Sequence, residues 1–198
     1  MKTAHPPEST LAPGSVSNDA YRNPSLGITC KVPVGWVLRT DEMNAREESS
    51  DDSATSDSGR SSAAANTGTS RVLLAAFSRP PEARGEEINA SIVIAAESAA
   101  SYPGLKEAAQ YFGPLMEIAK AQGFALEEDP YDIAVGAKTL VRGDFQKNVG
   151  TRVMRQSTLV MLARGYVVSF TFIAGTEDDV EDLVDGLSFP ASGSNNHK

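Results

Sequence analysis

The chain has 198 residues, 40% hydrophobic, 22% charged and 7% aromatic, close to the average for soluble globular proteins and enough for one domain or at most two small ones. With 18 Lys and Arg against 26 Asp and Glu, the formal charge is −8, which disfavours a nucleic-acid binder or a partner of anionic membranes because both need a basic surface. The one cysteine, Cys30, forms no internal disulfide or thiolate cluster, and His5 and His197 lie near the ends, so the body of the chain offers no imidazole for catalysis or metal binding.

Residues 1–17 hold three prolines and scattered apolar positions, which predicts a disordered tail. No run of seven apolar residues follows Lys2, and no window of about 18 to 20 apolar residues occurs, so the chain as given is read without export signal or membrane span. It is expected in the cytoplasm, or as a secreted or periplasmic protein if a leader has been removed. In the segment 26–32, Ile28, Cys30 and Val32 alternate with Thr29 and Lys31, the period of two of a half-buried strand. Pro33 and Gly35 then turn the chain, and residues 36–38 continue as a short strand with Trp36 as a core anchor.

Residues 41–70 contain no Leu, Ile, Val, Phe, Tyr or Trp, eight serines and a net charge of −5, which predicts a disordered acidic insertion. Residues 71–77 and 90–96 are short apolar runs separated by a Pro, Gly and charge-rich loop, hence two strands. Between Tyr102 and Gly123, apolar residues at spacings of three and four predict an amphipathic helix that Gly113 and Pro114 kink or split. Three short strand-like segments follow. Residues 151–163 and 166–174 then form a hairpin about Arg164 and Gly165, apolar on consecutive positions, which places it mid-sheet with both faces covered. Residues 176–187 read as a second helix, capped by Thr176, acidic in its first turn and apolar at Val180, Leu183, Val184 and Leu187. Its acids, Asp178 and Asp182 among them, read as a solvated face. Residues 191–198 are a second disordered tail. The fold class expected over 18–190 is α+β: one domain with a mostly antiparallel sheet covered by helices on both faces, an α/β/α sandwich.

The residues Tyr21-Arg22-Asn23, Leu26-Gly27-Ile28 and Val32-Pro33-Val34-Gly35-Trp36, followed much later by a long hairpin, an acidic helix and Ser188-Phe189, resemble the Mog/PsbP-like fold family. The match covers about residues 18–40 and 71–190. The resemblance implies the sandwich just described in a bacterial member. It also implies a docking or assembly role, since the family shares no catalytic constellation. The acidic insertion departs from the family pattern.

No phosphate-cradling, nucleophile-elbow or zinc signature occurs, and no cofactor, metal or enzymatic activity is expected. Charge is segregated instead. Residues 138–155 carry Lys138, Arg142, Lys147, Arg152 and Arg155 against Asp144, a local +4 in a chain of −8. Arg142, Lys147, Arg152 and Arg155 are therefore the candidate docking residues for an acidic protein partner. Arg152 and Arg155, three positions apart, point to opposite faces of an undistorted strand. This reading predicts that Arg142→Glu with Arg155→Glu abolishes partner capture while leaving the melting temperature nearly unchanged. The expected function is a non-enzymatic protein-binding or assembly module, as a monomer. The alternative is a small-molecule or anion-binding domain with a pocket between sheet and kinked helix, to which Tyr102 and Tyr111 contribute. An enzyme working through carboxylates or tyrosine is a third, weaker reading.

Overall fold

The computed structural model describes residues 11–52, 70–85 and 87–190; the tails expected at 1–10 and 191–198 and residues 53–69 of the acidic insertion lie outside the described residues. The chain opens with a hairpin of β1 (Ser15–Ser17) and β2 (Ala20–Asn23). Its turn residues Asn18 and Asp19 both have positive φ, 49° and 53°, the two-residue geometry that matches the right-handed twist of paired strands. Residues 11–17 are therefore ordered, not tail. The Tyr21 hydroxyl donates to the Pro13 carbonyl at 2.8 Å and the Asn23 amide to the Ala12 carbonyl at 2.8 Å, while Leu11 is buried. Side chains of β2 thus supply the partners that this polar segment needs to leave water.

In β3 (Ile28–Lys31), Ile28 and Cys30 are buried and Lys31 is exposed, as the alternation predicts. After the turn comes β4 (Val37–Leu38), then α1 (Thr40–Asp52), which corrects the start of the expected disordered insertion: residues 41–52 are helical. Hydrogen bonds to a strand edge, rather than an apolar stripe, hold this helix. Along β5 (Arg71–Phe77), Thr40 Oγ1 accepts from the Ala75 amide at 3.0 Å. Asn44 accepts from the Val72 amide at 2.9 Å and donates to its carbonyl at 3.0 Å. Arg39 pairs with Glu42 and Glu82 at 2.8 and 3.0 Å.

The strand β6 (Ser91–Ser98) leads through a single helical turn to α2 (Ala108–Ala121). The expected helix begins later than Tyr102 and is not split: Pro114 lies inside one continuous element. Proline disfavours helix at the preceding residue partly through contact with its Cβ, and Gly113 has none. At the N-terminus Gln110 Oε1 accepts from the Lys106 and Glu107 amides at 2.7 and 3.1 Å, satisfying donors that the helix leaves unpaired. The remaining elements are β7 (Ala125–Leu126), β8 (Tyr131–Val135), β9 (Lys138–Val149), β10 (Arg152–Ala163), β11 (Tyr166–Ala174), α3 (Glu177–Asp185) and β12 (Leu187–Ser188). Arg164 and Gly165, with φ of 52° and 79°, make the predicted hairpin turn, and Ala163 faces Tyr166 across it. Thr176 Oγ1 caps α3 by accepting from the Asp179 amide at 3.1 Å.

Four strands form one sheet in the order β1-β2-β3-β12, and a larger sheet runs β4-β5-β6-β11-β10-β9-β7, with β8 also on β9. Every pairing is antiparallel. The predicted hairpin is central, with β6 and β9 on its flanks. The strands before α2 meet those after it along two seams, β6 against β11 and β3 against β12.

Two apolar clusters draw on alternate residues of β10. Leu159 and Met161 join Val180 and Val184 of α3 together with Ile28, Cys30 and Leu187 of the small sheet. Val160 joins Tyr111, Phe112 and Ala119 of α2 with Val141 and Phe145. Among the described residues the molecule is thus mixed α and β, with antiparallel sheets and three α-helices. Gly143 is a notch in β9: a Cβ there would stand 2.5 Å from Cε1 of Phe112, so the absence of a side chain is what lets that ring seat.

Candidate functional site: a cleft beside the acidic helix

The predicted cations do not form one patch. Arg142 is 6% exposed. Its Nε donates to Asp144 Oδ1 at 2.9 Å, and Nη1 and Nη2 both reach the carboxylate of Glu181 on α3, Nη1 at 3.1 Å. The Tyr131 hydroxyl donates to the other Asp144 oxygen at 2.8 Å. Burial works to lower the Arg142 pKa, but the hydrogen bonds to Glu181 and Asp144 outweigh it and the net shift is upward. Partial desolvation of the Tyr131 hydroxyl, followed by its hydrogen bond to Asp144, raises Tyr131 to about 12. Arg142 is therefore a buried strap between β9 and α3 and corrects the expectation of a docking cation. Its fork donates bidentately to Glu181 and through Nε to Asp144, so its charge is matched by two carboxylates inside the fold.

Arg155 pairs with Glu127 at 2.7 Å, with both side chains about one-third exposed. Lys147 Nζ lies 5.4 Å from the Phe124 ring centroid, a cation–π contact. Residue parity along β9 sets Lys147 on the face opposite to Arg142. Arg152, at the exposed start of β10, has no ion-pair partner among the described residues.

Arg152 does reach a site. A cleft of about 580 Å³ opens between α3, the turn before β4 and the loop before β6. Trp36, Ile88 and Leu183 supply apolar walls, and Glu87, Asp179 and Asp182 stand against the single cation Arg152. Four stretches of chain build it, which is why no local motif announced it. The Pro, Gly and charge-rich loop that gives Ile88 and Glu87 reads in sequence as a connector, and Trp36 reads as core. Trp36 does pack against the core but is only partly buried.

A second cleft, of about 530 Å³, lies between the N-terminal end of α2 and the sheet, where Lys106, Glu107, Asp132 and Lys138 ring Val141 and Leu162. Tyr102 and Tyr111, expected in a pocket at this position, line neither cleft. Their rings meet edge to face at 5.2 Å, and the Tyr102 hydroxyl donates to Glu97. Tyr111 is buried, and burial first, with the neighbouring Glu97 second, raises its pKa. Both tyrosines are packing and hydrogen-bonding residues of the α2 cluster. Among the described residues no group of three or more His, Cys, Asp or Glu is placed to hold a metal ion, and no helix is long and apolar enough to cross a membrane.

The sequence matches no protein-family model and no curated protein. Solved structures similar to this chain include a Pseudomonas aeruginosa protein of unknown function, with 21% identity, 64% of this chain and 77% of that one covered, and a TM-score of 0.36. LpqN, described as involved in cell envelope biogenesis of Mycobacterium tuberculosis, is 14% identical over 82% of this chain and 83% of its own, with a TM-score of 0.37. The Ran-binding protein Mog1p of Saccharomyces cerevisiae is 12% identical over 83% and 80%, with a TM-score of 0.38.

Proposed function

We propose that this protein is a non-enzymatic binding module for another protein, and that the Trp36 cleft beside α3 is its binding surface. The observation that carries the reading is the composition of that cleft. A concave wall of Trp36, Ile88 and Leu183 gives buried contact area, and charged groups from separate chain segments around it give orientation. In the same reading the scaffold is an α/β/α sandwich in a single domain, with α2 and α3 on opposite faces of the large sheet. The alternation of Leu159, Val160 and Met161 between the two apolar clusters supports this layout.

The test is affinity capture with the full chain beside the double variant Glu87→Lys/Asp182→Lys and a control of equal charge change far from the cleft, Glu117→Lys/Asp129→Lys. All four positions are exposed, so the variants keep the fold. A partner kept by the control and lost by the cleft variant supports the reading; one retained equally by both refutes it. The alternative, a small-molecule or anion-binding domain, is favoured by the second cleft, which lies where α2 meets the sheet and carries Lys106 and Lys138.

A further inference from the structure

We propose that the occupant of the Trp36 cleft is a basic segment of the partner, with an aliphatic side chain between cationic ones; this rests on the cleft being the binding surface. Charge complementarity over apolar walls selects this guest. Three carboxylates, Glu87, Asp179 and Asp182, line the cleft against one guanidinium, Arg152. They come from two different chain segments, the loop before β6 and the helix α3, so a guest in the cleft meets negative charge from both. Glu177, Asp178 and Asp185 deepen the same field from α3, whereas Glu181 is spent on Arg142. Desolvating carboxylates against a guest without cations costs free energy that no contact returns, while an acidic guest gains Arg152 alone and meets the others as repulsion. A volume near 580 Å³ falls in the range of sites that enclose a ligand of several side chains rather than a single ion. Trp36 supplies the best aromatic face for a Lys or Arg passing over it. The predicted partner charge is thus the reverse of the acidic partner that the clustering of cations in sequence implies.

Trp36 is also the chain's only tryptophan, so its fluorescence reads this cleft alone. The full chain is titrated with acetyl-Lys-Leu-Lys-Leu-Lys-amide and with acetyl-Glu-Leu-Glu-Leu-Glu-amide. The expected result is a saturable shift in emission with the basic peptide only. Its affinity falls at least tenfold in Glu87→Lys/Asp182→Lys, stays within twofold in Glu117→Lys/Asp129→Lys, and drops several-fold between 50 and 500 mM salt, on the order of what screening of exposed charges predicts. Saturation by the acidic peptide instead overturns the partner chemistry and leaves the cleft as a binding surface. A basic peptide that both variants weaken equally reports the overall −8 charge and overturns the site. Silence with both peptides overturns the cleft as a binding surface and the partner chemistry with it.

Discussion

Replacing Arg142 with methionine keeps an unbranched, largely buried side chain of similar reach and deletes only the guanidinium. Asp144 then loses an ionic partner at 2.9 Å while its own side chain is 16% exposed, and Glu181 loses both of its contacts but is 44% exposed and regains water. Breaking a fully buried pair from one side typically costs about 3–5 kcal/mol. Because Glu181 rehydrates and Asp144 keeps the Tyr131 hydroxyl, the expected loss is about 3 kcal/mol, at the low end of that range. For a chain of this size it corresponds to roughly a 6–12 °C fall in melting temperature. Calorimetry and urea unfolding of the wild type, Arg142→Met, Glu181→Gln and the double variant give the size of the loss and the coupling between strand and helix. Glu181→Gln alone is expected to cost about 1 kcal/mol, and the double variant less than the sum. A melting temperature for Arg142→Met within 2 °C of wild type would refute the strap. The same reasoning excludes Arg142→Glu/Arg155→Glu as a neutral surface probe, since its first substitution places a third carboxylate beside Asp144 and Glu181.

Gly143→Ala drives a methyl into the Phe112 ring at 2.5 Å, and overpacking of this kind costs roughly 1–3 kcal/mol; an unchanged urea midpoint would count against the notch. Ser157 carries a buried hydroxyl without a hydrogen-bond partner among the described residues, so Ser157→Ala is expected to be neutral or stabilising by up to about 1 kcal/mol, and a clear loss in thermal melts would contradict this. The Cys30 thiol is fully buried and desolvation raises it to about 12, so it stays unreactive to a disulfide reagent at pH 8 until urea unfolds the chain. Its linkage has a definite sign. Below pH 9 both states hold the proton and nothing is lost; from pH 9 to about 12 only the unfolded thiol ionises, and stability falls by about 1.4 kcal/mol per pH unit. Between pH 8 and 10.5 the wild type should therefore lose about 2 kcal/mol more than Cys30→Ala, and equal losses would sink the assignment.

Elements that depend on near neighbours in sequence were legible. The alternation around Ile28, Cys30 and Val32 places β3, the Arg164-Gly165 turn fixes the β10–β11 register, and Thr176 with Val180 and Val184 defines α3. The signal for β1–β2 was also present, in Asn18-Asp19, but the prolines before it argued for a tail. What could not be read has partners far along the chain. The helix α1 has no apolar stripe and is held by Asn44 against Val72. Arg142 sits 39 residues from Glu181, so a count of charges along β9 sees a free cation where the fold makes a buried one. The Trp36 cleft is an extreme of the same kind, since its walls come from four separated stretches. Tyr102 and Tyr111, read in sequence as lining a pocket between sheet and helix, pack edge to face on each other instead and line neither cleft.

The two seams described above divide each sheet between an N-terminal and a C-terminal half of the chain. Until β11 docks on β6, that strand of Ile92, Ile94 and Ala96 presents a bare hydrogen-bonding edge, and the hairpin of β10 and β11 presents another. Pairing residues 91–98 with 166–173 requires closing a loop that contains α2 and the four strands β7 to β10, a topology that slows folding relative to local hairpins. During that interval each half is a template for the other half of a second molecule. At high concentration the seam is therefore the place where exchange of halves between two chains, rather than unfolding of either half, is the natural route to misassembly.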